Sequence, residues 1–447
     1  MNKISFIVYR TLFIALLSIA GIEGVSAQDS IKKIYLREAI NAALKNNRAI
    51  QLAGIDERMA ASSYKETEAI YLPEIGFSYS AMNTNNPLNA FGFSLQQKSI
   101  TQADFDPARL NHPSGTTDFT TKLTIQQPII NMDMLYKRKA AEKQMALYQL
   151  KTQRTKEYLV FEVQKAYLQL QWAYDAVTVL EEALTTSKAV YQFTNNHFQQ
   201  GLIQKSDLLQ VQVQVSTVET NLAKAKSSVS NASDYLGLLM GDEKPVIYKT
   251  SRTDSLPATL PGNVQKIKDS RSDFMAMQKA IESSDLMIKS SRMSYLPRVN
   301  AFGSYQFNDS RALGFGANAY LAGIQLSWDI FKGNRTKNSL STQKLARNKI
   351  EEELKKQKEQ SQLELNKALR DLSDAQFDIK QQTTAVEQAT ESLQILQNRY
   401  QQGLVNTTDV LQAASRQTQQ KFSLVQASYT LSMTQYYIQF LTASDHP

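Results

Sequence analysis

The chain has 447 residues, no cysteine, 42% hydrophobic residues and a formal charge of +8 from 50 basic and 42 acidic side chains. Without cysteine there is no disulfide framework, thiolate metal site or lipid-modified cysteine. The charge is spread over helix faces, as in Glu351 with Lys355 and Glu352 with Lys356, so no basic patch with interleaved aromatics marks a nucleic-acid surface.

Residues 1–27 read as a secretory leader, with Lys3 and Arg10 before the apolar run Thr11 to Ile22 and Val25-Ser26-Ala27 as a small-residue cleavage site. The mature chain is therefore expected to begin at Gln28, outside the cytoplasm. Beyond the leader nothing approaches the roughly 20 consecutive apolar residues of a spanning helix, so any membrane crossing must be made by strands.

Alternating segments supply four candidates. Residues 74–82 place Ile75, Phe77, Tyr79 and Ala81 on one face, and 118–127 carry Phe119, Leu123 and Ile125. In the second half, 298–307 carry Val299, Ala301, Tyr305 and Phe307, and 320–330 carry Tyr320, Ala322, Ile324, Leu326, Trp328 and Ile330. Each has about the 9 to 11 residues of a tilted transmembrane strand. Ser78, Ser80, Asn300, Ser304 and Gln306 lie at alternate positions, where a wet lumen would need them. The connection from about Asn83 to Thr117, rich in Asn, Pro, Gly and Ser, reads as a long loop, and the shorter connection runs from Asn308 to Gly314.

After each strand pair comes a long helical pattern, from about Leu135 to Phe198 and from about Asn338 to Tyr400. Heptad steps run through Val163, Leu170, Val177, Leu184, Tyr191 and Phe198, and through Leu365, Leu372, Ile379, Val386, Leu393 and Tyr400. At 1.5 Å per residue these helices would be on the order of 90 to 100 Å long. A returning helix shows the seam Leu208, Val215, Leu222, Val229 and Leu236 with Val211, Val218, Ala225, Ala232 and Leu239 between. Heptads alone would suit a periplasmic coiled-coil adaptor or structural protein of the envelope. The strands shift the reading toward a membrane channel.

The segment Phe198 to Gln210 returns as Tyr400 to Gln412, with seven of thirteen positions identical. Each copy reads as a tight turn between antiparallel helices, at 199–206 and 401–408, with Gly201 or Gly403 ending a helix. The chain is thus an internal duplication, with repeats at 28–262 and 263–447 and a Pro-containing linker at 241–262 carrying Pro245, Pro257 and Pro261. Four strands cannot close a barrel and open edges are not tolerated in lipid, so several chains must share one.

This order of elements resembles the TolC-like outer membrane efflux protein family. Leu36-Arg37-Glu38-Ala39 through Ala43-Leu44-Lys45-Asn46-Asn47 resembles the family's amino-terminal helix, with Arg48 where a proline is common. Tyr71-Leu72-Pro73 and Tyr295-Leu296-Pro297 are similar to its helix-to-strand junctions, and the Gly-Leu turns to its periplasmic tips. The resemblance implies a mostly α fold with transmembrane β: long coiled-coil helices forming a periplasmic α-barrel, and four strands per chain in a trimeric twelve-stranded outer-membrane β-barrel. It also implies a passive exit duct for efflux or type I secretion, embedded in outer-membrane lipid and docked to a periplasmic adaptor and an inner-membrane transporter.

Carried onto this chain, the resemblance gives Gly201, Leu202, Gly403 and Leu404 as adaptor-docking positions, although each Gly also terminates its helix. It gives Asp207 and Asp409 as gate acids. Capping is the alternative for both, with Ser206-Asp207 and Thr408-Asp409 opening the returning helices. Gln412 stands where some relatives carry a second acid. Arg399 and Tyr400 correspond to residues that hold a closed state, but Tyr400 also ends its heptad series and so has a packing role available. His112, His197 and His446 lack ligand-spaced acids, and no nucleophile and base spacing, phosphate loop or HExxH run occurs. No metal, cofactor or enzyme activity is expected.

Overall fold

The computed structural model describes residues 31–251 and 266–442. The expected leader, and the linker beyond Ser251, lie outside the described residues. The chain divides into two compact units, one of Met1–Lys45, Glu162–Leu256 and Ala375–Met433, the other of Asn46–Phe161, Pro257–Asp374 and Thr434–Pro447. Each unit takes segments from both repeats; in the first, Val190 and Val211 of one hairpin pack with Leu393, Tyr400 and Val410 of the other.

In the first unit two short strands, β1 (Lys32–Ile34) and β4 (Tyr248–Thr250), pair in parallel. Beside them run α1 (Leu36–Asn46), α6 (Lys205–Met240) and the parts of α5 (Met132–Gln199), α8 (Arg335–Gln401) and α9 (Thr407–Thr442) that belong to this unit. Of the stripe expected along the returning helix, Leu208, Val211, Val218, Leu222, Val229, Ala232 and Leu236 are buried, while Val215, Ala225 and Leu239 are half-buried. Each such Val or Leu contributes about 1.5 to 3 kcal/mol of hydrophobic free energy when fully buried.

On α5, Val163, Ala166, Leu170 and Ala173 are buried as the heptads require. Further along, the buried stripe passes to Val179, Leu180, Ser187, Val190 and Thr194, while Val177, Leu184 and Tyr191 are only half-buried. A 68-residue helix thus presents two seams, one filled within the chain and one left partly open. The short sheet is anchored by Tyr167, whose hydroxyl accepts from Ser251 N (2.9 Å) and lies 3.1 Å from Ile34 O. Gly241 closes α6 in the left-handed conformation at φ 80°. Nearby, Tyr248 donates to Asp242 Oδ2 (2.6 Å), and burial, followed by that bond, raises the phenol above its ordinary value.

The second unit holds the large sheet, of β2 (Glu74–Thr84), β3 (Thr116–Ile130), β5 (Arg298–Asp309) and β6 (Ala317–Ser327), antiparallel throughout in the order β2, β3, β5, β6. The fourth strand begins and ends earlier than its periodicity suggests, so Trp328 and Ile330 lie beyond it. Asp309 sets the upper bound: its carboxylate accepts from Arg311 N and Gly316 N, both at 2.9 Å, so pairing continues to Asn308 opposite Ala317. Trp328 leaves the ladder, its indole donating to Tyr295 O (2.9 Å).

Helices α2 (Arg48–Glu66) and α7 (Ser272–Met293) also lie in this unit, and lead into β2 and β5 through the two Leu-Pro junctions. Its helical core joins Phe274 and Ile281 on α7 to Leu354, Leu365 and Ala368 on α8 and Ile438 and Leu441 on α9. The long connection after β2 is folded, with α3 (Pro87–Gln96), a 3-10 turn (Gln102–Phe105) and α4 (Pro107–Asn111). Asn86 and Asp106 cap these helices and Pro87 and Pro107 open them.

Candidate functional site

Register gives the large sheet two chemically distinct faces. Ile75 lies opposite Ile125, Phe77 opposite Leu123 and Ala81 opposite Phe119; Leu123 in turn faces Tyr305, and Tyr305 faces Tyr320. With Ala301, Phe307, Ile324 and Leu326 they form one continuous apolar face. Much of it is bare: Phe77 is 72% exposed and Ile324 is 72% exposed. Aromatic pairs gather toward the end of the sheet away from the long helices, with Phe307 edge-on to Phe315 at 5.3 Å and Tyr79 stacked on Phe119 at 6.3 Å. The opposite face carries Ser78, Ser80, Lys122, Thr124, Gln126, Asn300, Ser304, Gln306 and Gln325. β2 and β6 are the edges, each with one side unpaired among the described residues. No described helix is long and apolar enough to cross a membrane.

Where α5 and α8 end, the two Gly-Leu turns share one geometry. Gly201 has φ +72° and Gly403 φ +73°. In the first turn Gly201 N donates to Phe198 O and Leu202 N to His197 O, both at 2.9 Å; in the second Gly403 N donates to Tyr400 O and Leu404 N to Arg399 O, both at 3.0 Å. These bonds use helix-end carbonyls that would otherwise lack partners. The left-handed glycine throws the next leucine outward, leaving Leu202 64% and Leu404 68% exposed.

The returning helices start earlier than Ser206 and Thr408. Gln204 is the N-cap of α6, and Asp207, at the third helical position, accepts from Gln204 N (3.4 Å). In the second hairpin Asp409 N donates to Asn406 Oδ1 (2.9 Å) and Asn406 N to Asp409 Oδ2 (3.3 Å), a reciprocal capping box. The hydroxyls do other work: Ser206 bonds Gln204 Oε1 (3.3 Å) and Thr408 bonds Gln210 Oε1 (3.4 Å). Both aspartates remain partly exposed.

Arg399 and Tyr400 are separated by the structure. Arg399 is exposed, and its side chain makes no hydrogen bond or ion pair among the described residues. Tyr400 is buried in a cluster with Val190, Val211, Leu393, Val410 and Leu411. Its hydroxyl lies 2.9 Å from Thr194 Oγ1 and 2.8 Å from Thr407 Oγ1, and its ring packs 4.9 Å from Phe193. It therefore ties the first hairpin to the second within one chain. Removing the hydroxyl in Tyr400→Phe strips both threonines of a partner, though Thr194 keeps Val190 O at 2.7 Å. The variant should lose about 1 to 2 kcal/mol per chain in denaturant unfolding while keeping its fold. Above this cluster a polar groove lies between α5 and α8, bordered by Glu182, Thr186, Gln394, Gln397 and Lys421. Its floor uses seam residues such as Leu393 and Tyr400, but its polar border stands at positions between the seams, where the spacing carries no signal.

A family model described as outer membrane efflux protein matches residues 39–242 and 263–443. Among relatives, the cation efflux system protein CusC of Escherichia coli K12 is 24% identical over 405 residues, covering 86% of this chain and 82% of its own. Outer membrane protein TolC of the same strain is 21% identical over 449 residues, covering 94% and 83%. Among solved structures, a crystal structure of CusC superposes with a TM-score of 0.79 at 18% identity, covering 92% of each chain. The open-state MtrE channel of Neisseria gonorrhoeae gives 0.71 at 15% identity, covering 92% of this chain and 89% of that one.

Proposed function

Because the chain belongs to the outer membrane efflux protein family, whose members sit in the outer membrane and extend into the periplasm, we propose that three copies form one passive exit duct serving a periplasmic adaptor and an inner-membrane pump. One observation carries the reading: a four-stranded sheet with a bare apolar face, a polar face and two unpaired edges. In lipid such edges must be paired, and three sheets joined β6 to β2 make twelve strands with none left open. Each repeat, 28–262 and 263–447, would supply two strands and one helical hairpin. The half-open seam of α5 would pack against a neighbouring chain in the α-barrel.

At the tips, Leu202 and Leu404 are apolar knobs held outward by a rigid turn, a geometry suited to docking adaptor helices. Asp409 would recur three times around the narrow periplasmic end, a charge ring that attracts cations. Asp409→Ala should lower the cation preference of the purified channel in planar bilayers, measured as reversal potential in a salt gradient. An unchanged potential would remove the acid from the gate. The basic reading is tested by fractionating membranes and cross-linking the extract: a detergent-extracted trimer is expected, and a water-soluble monomer would end it.

A further inference from the structure

The connection between β2 and β3 does not stand clear of the sheet. Helix α3 is fastened to the polar face by its carboxyl-terminal end: Gln97 Nε2 donates to Thr117 O (2.8 Å) and to Asp118 Oδ1 (2.9 Å), and Asn308 Nδ2 reaches Gln96 Oε1 at 3.4 Å. Beneath it, Asn308 Nδ2 also donates to Asp118 Oδ2 and to Thr120 Oγ1, both at 2.9 Å. Asp118 is 0% exposed and Asn308 2%. A carboxylate is buried on a sheet only if its oxygens are satisfied, and here three side chains do so, with Thr120 Oγ1 at 2.5 Å as the third.

Strand parity decides which side this is. Asp118, Thr120, Asn308 and Ala317 share the face of Ser80, Lys122 and Gln306, opposite to Phe119, Phe307 and Ile324. In the trimeric channel, on which this inference rests, that face is the lumen. The connection also leaves the sheet at the end away from the long helices, which is the outer mouth.

The helix carries an apolar stripe on its far side. Leu88 is 80% exposed, Leu95 52%, and Gly92 between them faces open space at the position where a Cβ would stand. Ala90, on the near side, is buried. An apolar stripe directed into a water-filled bore stays uncovered unless something meets it.

Twelve strands about 4.8 Å apart and tilted by about 40° enclose a bore about 24 Å across between backbones. A helix with its side chains is about 10 to 12 Å wide, so three of them against this wall have their axes about 10 to 12 Å apart and meet side chain to side chain. The geometry points to a second constriction: the three copies of α3 meet across the outer mouth through Leu88 and Leu95 and form an apolar gate that resists wetting. The occupant of each stripe is the same stripe of the two other chains.

The absence of native cysteine makes the test direct. Leu95→Cys, purified as trimer and oxidised, should give covalent dimers of chains, and its single-channel conductance should rise when the bond is reduced. Ile324→Cys, on the lipid face, should give none. Leu88→Ser with Leu95→Ser, both at exposed positions, should raise single-channel conductance by about twofold or more by letting water into the constriction. Intact trimers in which Leu95→Cys does not cross-link and the double serine variant conducts like the parent would overturn the gate while leaving the trimeric channel standing. Failure of the parent chain to form trimers would remove both.

Discussion

Gly403→Ile should abolish transport while leaving the protein trimeric and in the outer membrane. The residue sits at φ +73° with open space where a Cβ would stand, so no neighbouring atom opposes the substitution. The penalty is in the backbone alone: a β-branched residue held in the left-handed region costs about 1 to 3 kcal/mol. The chain relieves this by unwinding the turn, which frees Leu404 N from Arg399 O and lets the exposed leucine wander. The cluster behind the turn does not share the strain, since Tyr400 stays bonded to Thr194 and Thr407 and packed among Val190, Leu393 and Val410. On the proposed docking role, the geometry at the tip is therefore lost while assembly is kept. Gly403→Ala, with a smaller left-handed penalty, should fall between parent and isoleucine variant in a substrate-accumulation assay. Full transport by the isoleucine variant, alongside normal trimer levels, would show that the tip turn only ends a helix.

The turns are legible in the sequence because a glycine at a helix end has one job that few other residues do well, and the segment is written twice. The seam of α6 is legible for a similar reason, with Val211, Val218, Leu222 and Leu236 buried where the seven-residue spacing puts them, whereas past Ala173 on α5 the buried stripe leaves that spacing for Val179, Leu180 and Val190. Parity in the strands carries the faces, so Phe77 and Leu123 meet on one side and Ser78 and Lys122 on the other.

What escapes lies where local signals are short or are satisfied from afar. Asn86-Pro87 and Asp106-Pro107 are sound helix starts, yet they sit in a stretch whose composition reads as loop, and the fixing partners of α3, Asp118 and Asn308, are distant in sequence. β1 and β4 have three residues each, too few for a period, and they pair in parallel across more than two hundred residues. The ends of β6 depend on Asp309 binding the hairpin amides and on Trp328 reaching Tyr295 O, neither of which alternation records.

Parity also supports the sharpest test of the membrane assignment, because the chain already carries a lysine beside the middle of β3. Lys122 lies on the polar face between Ser78 and Gln306, and Leu123 on the apolar face between Phe77 and Tyr305. Lysine on the lumen side stays hydrated, whereas lysine on the lipid side near the bilayer centre costs about 2 to 4 kcal/mol in a barrel. Each trimer carries the substitution three times, so Leu123→Lys should cost roughly 6 to 12 kcal/mol per assembly, comparable with the whole stability of a typical domain. Lys122→Leu exchanges the same two residue types one position earlier and should leave assembly intact. The expected result is that Leu123→Lys disappears from the heat-resistant trimer band of outer-membrane fractions while Lys122→Leu remains at parental level. Equal trimer yields from the two would mean that the apolar face does not meet lipid, and the bare Phe77, Leu123 and Ile324 would then need a protein partner to cover them.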